Sequence, residues 1–190
     1  IVKTTSTITE NLVLGFLIVI FVVVLLLGNL RSGLVVASVI PLSLLFAISL
    51  MYIFGVDANL MSLGAIDFGI IIDGAVIIVE ACMFQLHISR QQKISQLQMD
   101  DIVYSTSTRM RNAAVFGELI ILVVYLPIFT LEGIEGKMFK PMAQTVSFAL
   151  IGAFILSITY VPMMSAWVLN RNRVQKETMT DKFMLKLEAF

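Results

Sequence analysis

The sequence predicts an all-α membrane protein, a bundle of five transmembrane helices. Apolar runs of membrane-crossing length, free of Lys and Arg, recur five times along the chain, separated by polar breaks. Composition agrees: 58% of residues are hydrophobic and 14% charged, with a mean hydropathy of +0.96. Soluble domains average about 45–50% apolar and about 25% charged, so the excess here needs lipid to cover it. Basic residues, finally, fall only in the breaks.

Residues 1–11 are polar and Thr-rich and read as the end of a periplasmic segment. The first span covers 12–30, about the 20 residues needed to cross a 30 Å hydrocarbon core. A Gly-bounded turn at 28–33 carries Arg31 into the second span, 34–54, where Pro41 reads as a kink because neighbouring helices can satisfy the carbonyl it frees. After a short turn at 55–59, the third span runs over 60–83. Residues 84–112 are polar and read as a cytoplasmic loop with an amphipathic helix. The fourth span, 113–131, contains Glu118 and Pro127, and a loop at 132–141 leads to the fifth, 142–169. The tail, 170–190, mixes bases with Phe and Leu and suits an interfacial helix lying on the cytoplasmic side.

Orientation follows from the bases, since cytoplasmic loops are enriched in Lys and Arg. Arg31, the 84–112 loop and the tail fall on one side, and Lys3, Lys137 and Lys140 on the other. The first side is therefore expected to be cytoplasmic. Both ends then lie on opposite faces of the membrane, and the chain opens on Ile1 without a leader pattern, so it is expected to be a piece of a longer polypeptide. Zero net charge and no basic block argue against nucleic acid.

The third span carries the chemistry. Asp67, Asp73 and Glu80 lie in an otherwise apolar stretch, and a charged side chain near the bilayer centre costs roughly 2.5–3.5 kcal/mol on insertion scales. On an ideal helix the step from Asp73 to Glu80 returns to nearly the same face, about 10 Å along the axis, while Asp67 points about 120° away. Gly64, Gly69 and Gly74 leave little bulk, which lets another helix pack closely and shield the acids from lipid. No Lys or Arg lies in any span, yet four acids do, counting Glu118. A buried carboxylate escapes its desolvation cost by taking a proton, and a nearby cation drives that proton off. This is the physics of a proton relay, with the basic partner expected on a helix outside the chain. Hydrogen bonding of the acids to neighbouring helices is the bland alternative, and three costly acids on one span weigh against it. An aspartyl protease needs two carboxylates about 3 Å apart, which two Asp six residues apart on one helix cannot achieve, so no enzyme is expected.

The residues also carry a resemblance. The stretch DFGIIIDGAVIIVE at 67–80 resembles the fourth transmembrane helix of heavy-metal efflux pumps of the resistance-nodulation-division (RND) superfamily, in the branch exporting cobalt, zinc and cadmium. The likeness continues through LGNLRSGLVVASVIPLSLLFA, GVDANLMSLGAIDFG and YLPIFTLEGIEGKMFKPMAQTVSFAL, covering about 11–169. It implies that the five spans are helices two to six of a twelve-helix subunit of a proton/cation antiporter. The subunit would be a homotrimer of the bacterial inner membrane, joined to a periplasmic adaptor and an outer-membrane channel. Its cargo would be zinc, cobalt, nickel, cadmium or copper and silver ions. The family's relay acids fall on Asp67, Asp73 and Glu80, with the basic partner on a later helix. Two positions depart from the pattern. Ala81 and Cys82 follow the last acid where the family usually has Asn. Glu118 stands where relatives often carry Gln or an apolar residue. Glu118 is a candidate fourth relay member, and pairing with Arg111 or Asn112 near the cytoplasmic end is the reading favoured from the sequence.

Other residues weigh less. Thioethers select soft ions, but Met51, Met61, Met138, Met142, Met163 and Met164 are read as packing, and Cys82 with His87 makes too small a ligand set. The GIEGK turn at 133–137 follows no strand, so no phosphate loop and no cofactor is implied. Exporters of organic compounds in the same superfamily, and a membrane scaffold that transports nothing, remain the alternatives.

Overall fold

The structure, a computed structural model, describes residues 2–56, 67–88 and 96–168. The expected tail helix at 170–190, Gly64, Met61 and the side chain of His87 lie outside the described residues. Five α-helices account for nearly all of the rest: α1 (Val2–Leu27), α2 (Leu30–Phe54), α3 (Phe68–Ile88), α4 (Gln96–Tyr125) and α5 (Gly133–Val168), with a short 3-10 segment at Leu126–Thr130 between the last two. Four of them, α2 to α5, are long and apolar enough to cross a membrane, and α1 adds a shorter apolar stretch at Val13–Leu27. This is an all-α, multi-pass membrane protein.

The connections are tighter than the sequence suggests. α1 stops at Gly28, whose φ of 60° is the left-handed conformation that terminates helices and that glycine adopts without steric cost. Asn29 then caps α2 at once, its side chain accepting from the Arg31 N–H at 3.1 Å. The expected six-residue turn is therefore two residues long, and Gly33, assigned to it from the sequence, lies inside α2, where its bare Cα packs directly against Val24 of α1. α2 ends as α1 does, on Gly55 at φ 64°, whose N–H bonds the Met51 carbonyl.

α4 corrects the sequence reading most. The sequence predicts a loop with an amphipathic helix over 84–112, whereas α3 continues to Ile88 and α4 begins at Gln96, running unbroken through the polar stretch into the apolar one. Its apolar end stops at Pro127, which lacks the N–H to continue the α pattern, and the chain tightens into the 3-10 turn. The expected loop at 132–141 is likewise the first part of α5, which carries Pro141 and Pro162 inside it.

α2 and α5 pair antiparallel. α2 and α5 run together along most of their length, joined by Ser38 and Tyr160 hydroxyls at 3.0 Å, by Thr145 donating to the Met51 sulfur at 3.5 Å, and by Phe54 stacked on Phe148 at 5.6 Å. At Gly152 the two approach closely, since a Cβ there would meet Phe46 Cδ1 at 2.7 Å. α3 pairs with α4 and touches all four of the other helices, which makes it the central element of the bundle. Its buried side chains, Ile71, Ile72, Ala75, Ile78, Val79 and Cys82, form the middle of the apolar core.

Candidate functional site

α3 begins one residue after Asp67. The Asp67 carboxylate accepts from the Gly69 N–H at 2.8 Å, and its carbonyl accepts from Ile71 at 3.4 Å, the arrangement of a helix N-cap. The sequence reading placed Asp67 inside a helix that starts at residue 60, with its side chain about 120° round from Asp73. In the structure Asp67 instead sits at the helix end, because an Asp directly before an apolar run satisfies one of the orphan N–H groups there. Gly69 is corrected with it. Among the described residues a Cβ at Gly69 would meet only the Asp67 carboxylate, at 3.1 Å, so Gly69 leaves room for the cap, and no described helix packs on it.

Asp73 and Glu80 both lie on the open side of α3. Asp73, Ile77, Glu80 and Phe84 are exposed at steps of four, three and four, which is a single stripe down one face of the helix. Ile71, Ile72, Gly74, Ala75, Ile78, Val79 and Cys82, away from that stripe, are buried against the bundle. The structure therefore gathers Asp73 and Glu80 on one uncovered strip and brings Asp67 to its N-terminal end, within electrostatic range of Asp73.

Glu118 occupies a different environment from any the sequence suggested. Along α4, Met99, Val103, Ser107, Ala114 and Glu118 are buried, spaced at four, four, seven and four residues, so Glu118 takes a seat on the inward stripe. It is 3% exposed, and neither carboxylate oxygen has a hydrogen-bond partner among the described residues. The pairing with Arg111 or Asn112 is thus not formed, and both of those residues are exposed. The carboxylate lies instead over Gly74 of α3, where the space of a missing Cβ holds Glu118 Oε1, and the Ser157 Cβ of α5 closes the site at 3.4 Å from the same position. Ser157 offers no proton to it, because its hydroxyl donates to the Phe154 carbonyl at 2.9 Å. The 3.6-residue period of the buried side chains on α4 is the signal that could have found this. It is hidden in the sequence because the stripe runs across the boundary between the polar stretch and the apolar span.

The remaining candidates do not form a site. Cys82 is buried and within 3.6 Å of the Ser107 hydroxyl. Met51 is buried and engaged by Thr145, whereas Met138 and Met163 are exposed. Among the described residues no group of three or more His, Cys, Asp or Glu could hold a metal ion.

Comparison with known proteins now places the chain. The family model described as AcrB/AcrD/AcrF family matches residues 1–190. The chain belongs to the AcrB/AcrD/AcrF family. Among curated members of the RND superfamily, it is 46% identical over 178 residues to the cobalt-zinc-cadmium resistance protein CzcA of Cupriavidus metallidurans, covering 92% of this chain and 17% of that protein. It is 43% identical over 180 residues to the nickel and cobalt resistance protein CnrA of the same organism, covering 93% and 17%. The cation efflux system protein CusA of Escherichia coli K12 is 32% identical over 180 residues, covering 90% and 17%. Among solved structures, a heavy metal efflux pump matches in two crystal forms. The first gives a TM-score of 0.70 at 42% identity over 84% of this chain and 15% of that one. The second gives 0.73 at 38% identity over 84% and 16%. The chain spans about a sixth of the length of these RND relatives, with 17% covered in each curated one named.

Proposed function

We propose that the chain is part of the membrane domain of a proton-driven heavy-metal exporter of the bacterial inner membrane, with Asp67, Asp73 and Glu80 as its proton-carrying groups. The observation that carries this is the strip on α3: two carboxylates, Asp73 and Glu80, on one exposed stripe of the central helix. Charge in that position is costly in lipid, so the strip faces protein or water. The apolar runs 12–30, 34–54, 60–83, 113–131 and 142–169 hold no Lys or Arg, and a basic side chain from a helix outside these residues meets the strip there. Protonation of Asp73 removes its attraction for that base, and ionisation restores it. The two states favour different helix positions, and that difference is what a transporter converts into movement of cargo.

The names of the relatives support metal cations as cargo over organic compounds, since CzcA, CnrA and CusA are each named for metals or cations. Assembly as a homotrimer with an adaptor and an outer-membrane channel belongs to the same proposal. The account expects Asp73→Asn in the full-length subunit to abolish metal resistance while membrane insertion stays intact. Retained resistance would overturn the relay.

A further inference from the structure

The geometry points to Glu118 as an internal proton store that exchanges its proton with Asp73 across the bare backbone of Gly74. This rests on the reading of α3 as the proton-carrying helix and extends the path to a residue that lies on another helix.

Three observations carry it. Glu118 is 3% exposed, with both oxygens unpartnered among the described residues, whereas Asp73 is exposed one residue away from the glycine that Glu118 covers. A buried carboxyl without hydrogen-bond donors is far better accommodated neutral than ionised. Among the described residues, one titratable neighbour lies within electrostatic range. From α3 it is Asp73. From α5 the segment 141–168 offers only Tyr160, whose hydroxyl is engaged with Ser38. The 3-10 segment Leu126–Thr130 has none, and on α4 itself Arg109, Arg111 and Tyr125 lie two turns or more away along the helix.

The contact depends on residue 74 being glycine. Any side chain there would take the space that holds Glu118 Oε1, so glycine allows the carboxyl to come against the α3 backbone beside Asp73. In the exchange the O–H bond of the Asp73 acid breaks, an O–H bond forms on Glu118, and the negative charge passes from Glu118 to Asp73. The transfer requires the two carboxyls to meet, directly or through one water. Asp73 thereby returns to the ionised state that attracts a base, while the proton remains held inside the bundle.

The test uses the full chain in lipid vesicles and dicyclohexylcarbodiimide, an apolar reagent that reacts with protonated carboxyls and not with carboxylates. Mass spectrometry identifies the modified position. Glu118 is expected to react at acid pH and to lose reactivity quickly after a step to alkaline pH. In Asp73→Asn that loss becomes slow, because the exchange partner is gone, whereas Asp73→Glu keeps it fast. A loss as fast in Asp73→Asn as in wild type would overturn the exchange. So would equal slowing in both variants, which marks a packing defect, or a Glu118 that never reacts at any pH. Metal-coupled proton flux separates this step from the reading beneath it. If Asp73→Asn abolishes flux but leaves the Glu118 response unchanged, the exchange fails and the α3 relay stands.

Discussion

Replacing Glu118 with Met tests the energetics of the buried site directly. The substitution removes the carboxyl but keeps an unbranched side chain of similar length, so the seat between α3, α4 and α5 stays filled. Glu118 is 3% exposed and its oxygens lack partners among the described residues. A polar group left unsatisfied in the interior costs about 1–3 kcal/mol, and an apolar group of the same shape does not incur that cost. Glu118→Met is therefore expected to stabilise the bundle by about 1–3 kcal/mol. The lower half of that range is the closer expectation, because a chain unfolded within lipid also finds partners for the carboxyl. Glu118→Gln is the control, since its amide leaves buried polar atoms in place and should give no comparable gain. Unfolding in mixed micelles, followed by circular dichroism as denaturing detergent is added, reads both. A midpoint that moves higher for Met alone fits the account. A loss of more than about 1 kcal/mol on going to Met would refute it, because it would mean that the carboxyl makes hydrogen bonds worth keeping. If the site serves transport, the stabilised variant also exports less metal, a trade of function for stability that a merely structural residue would not show.

Other substitutions probe the frame around the site. Asp67→Ala should cost about 0.5–2 kcal/mol by removing the cap of α3, while Asp67→Asn, an equally good cap, should leave stability nearly unchanged. A detergent unfolding titration separates the two, and transport lost in Asp67→Asn would then report the charge alone. Gly152→Ala places a Cβ 2.7 Å from Phe46 Cδ1 and should destabilise the α2 and α5 pair by about 1–3 kcal/mol, visible as a lower melting temperature. Gly74→Ala should displace Glu118, and a cysteine crosslink between α3 and α4 near that level should form less readily than in the parent. Gly69→Ala meets only the Asp67 side chain, so its effect should track that of Asp67→Ala in the same titration.

Five helices were legible in the sequence because lipid imposes a length and an apolarity that few other constraints imitate. Their ends were less legible. Apolar runs mark where a chain enters hydrocarbon and not where its hydrogen-bond ladder begins, so α4 and α5 reach well beyond the apolar stretches into polar sequence. Asp67 was misplaced for the same reason. The continuous run from residue 60 suggested one helix, and the competing signal, an Asp directly ahead of an apolar segment, is short and local. The face shared by Asp73 and Glu80 needed only the helical period, which is why those two could be paired from spacing. Glu118 required knowing which side of α4 is inward and which residue of α3 meets it, and the second depends on tertiary pairing that a single sequence does not display. Gly74 was legible as a residue of small bulk, but what fills the space above it was not.

The central claim is that proton binding on α3 drives metal export, and proton flux in vesicles reconstituted with the full-length subunit measures it most directly. After a pH jump, the account predicts that metal entry and proton counterflow appear together in wild type and vanish together in Asp73→Asn. Metal movement that continues in Asp73→Asn, or that proceeds without any proton flux in wild type, would contradict it.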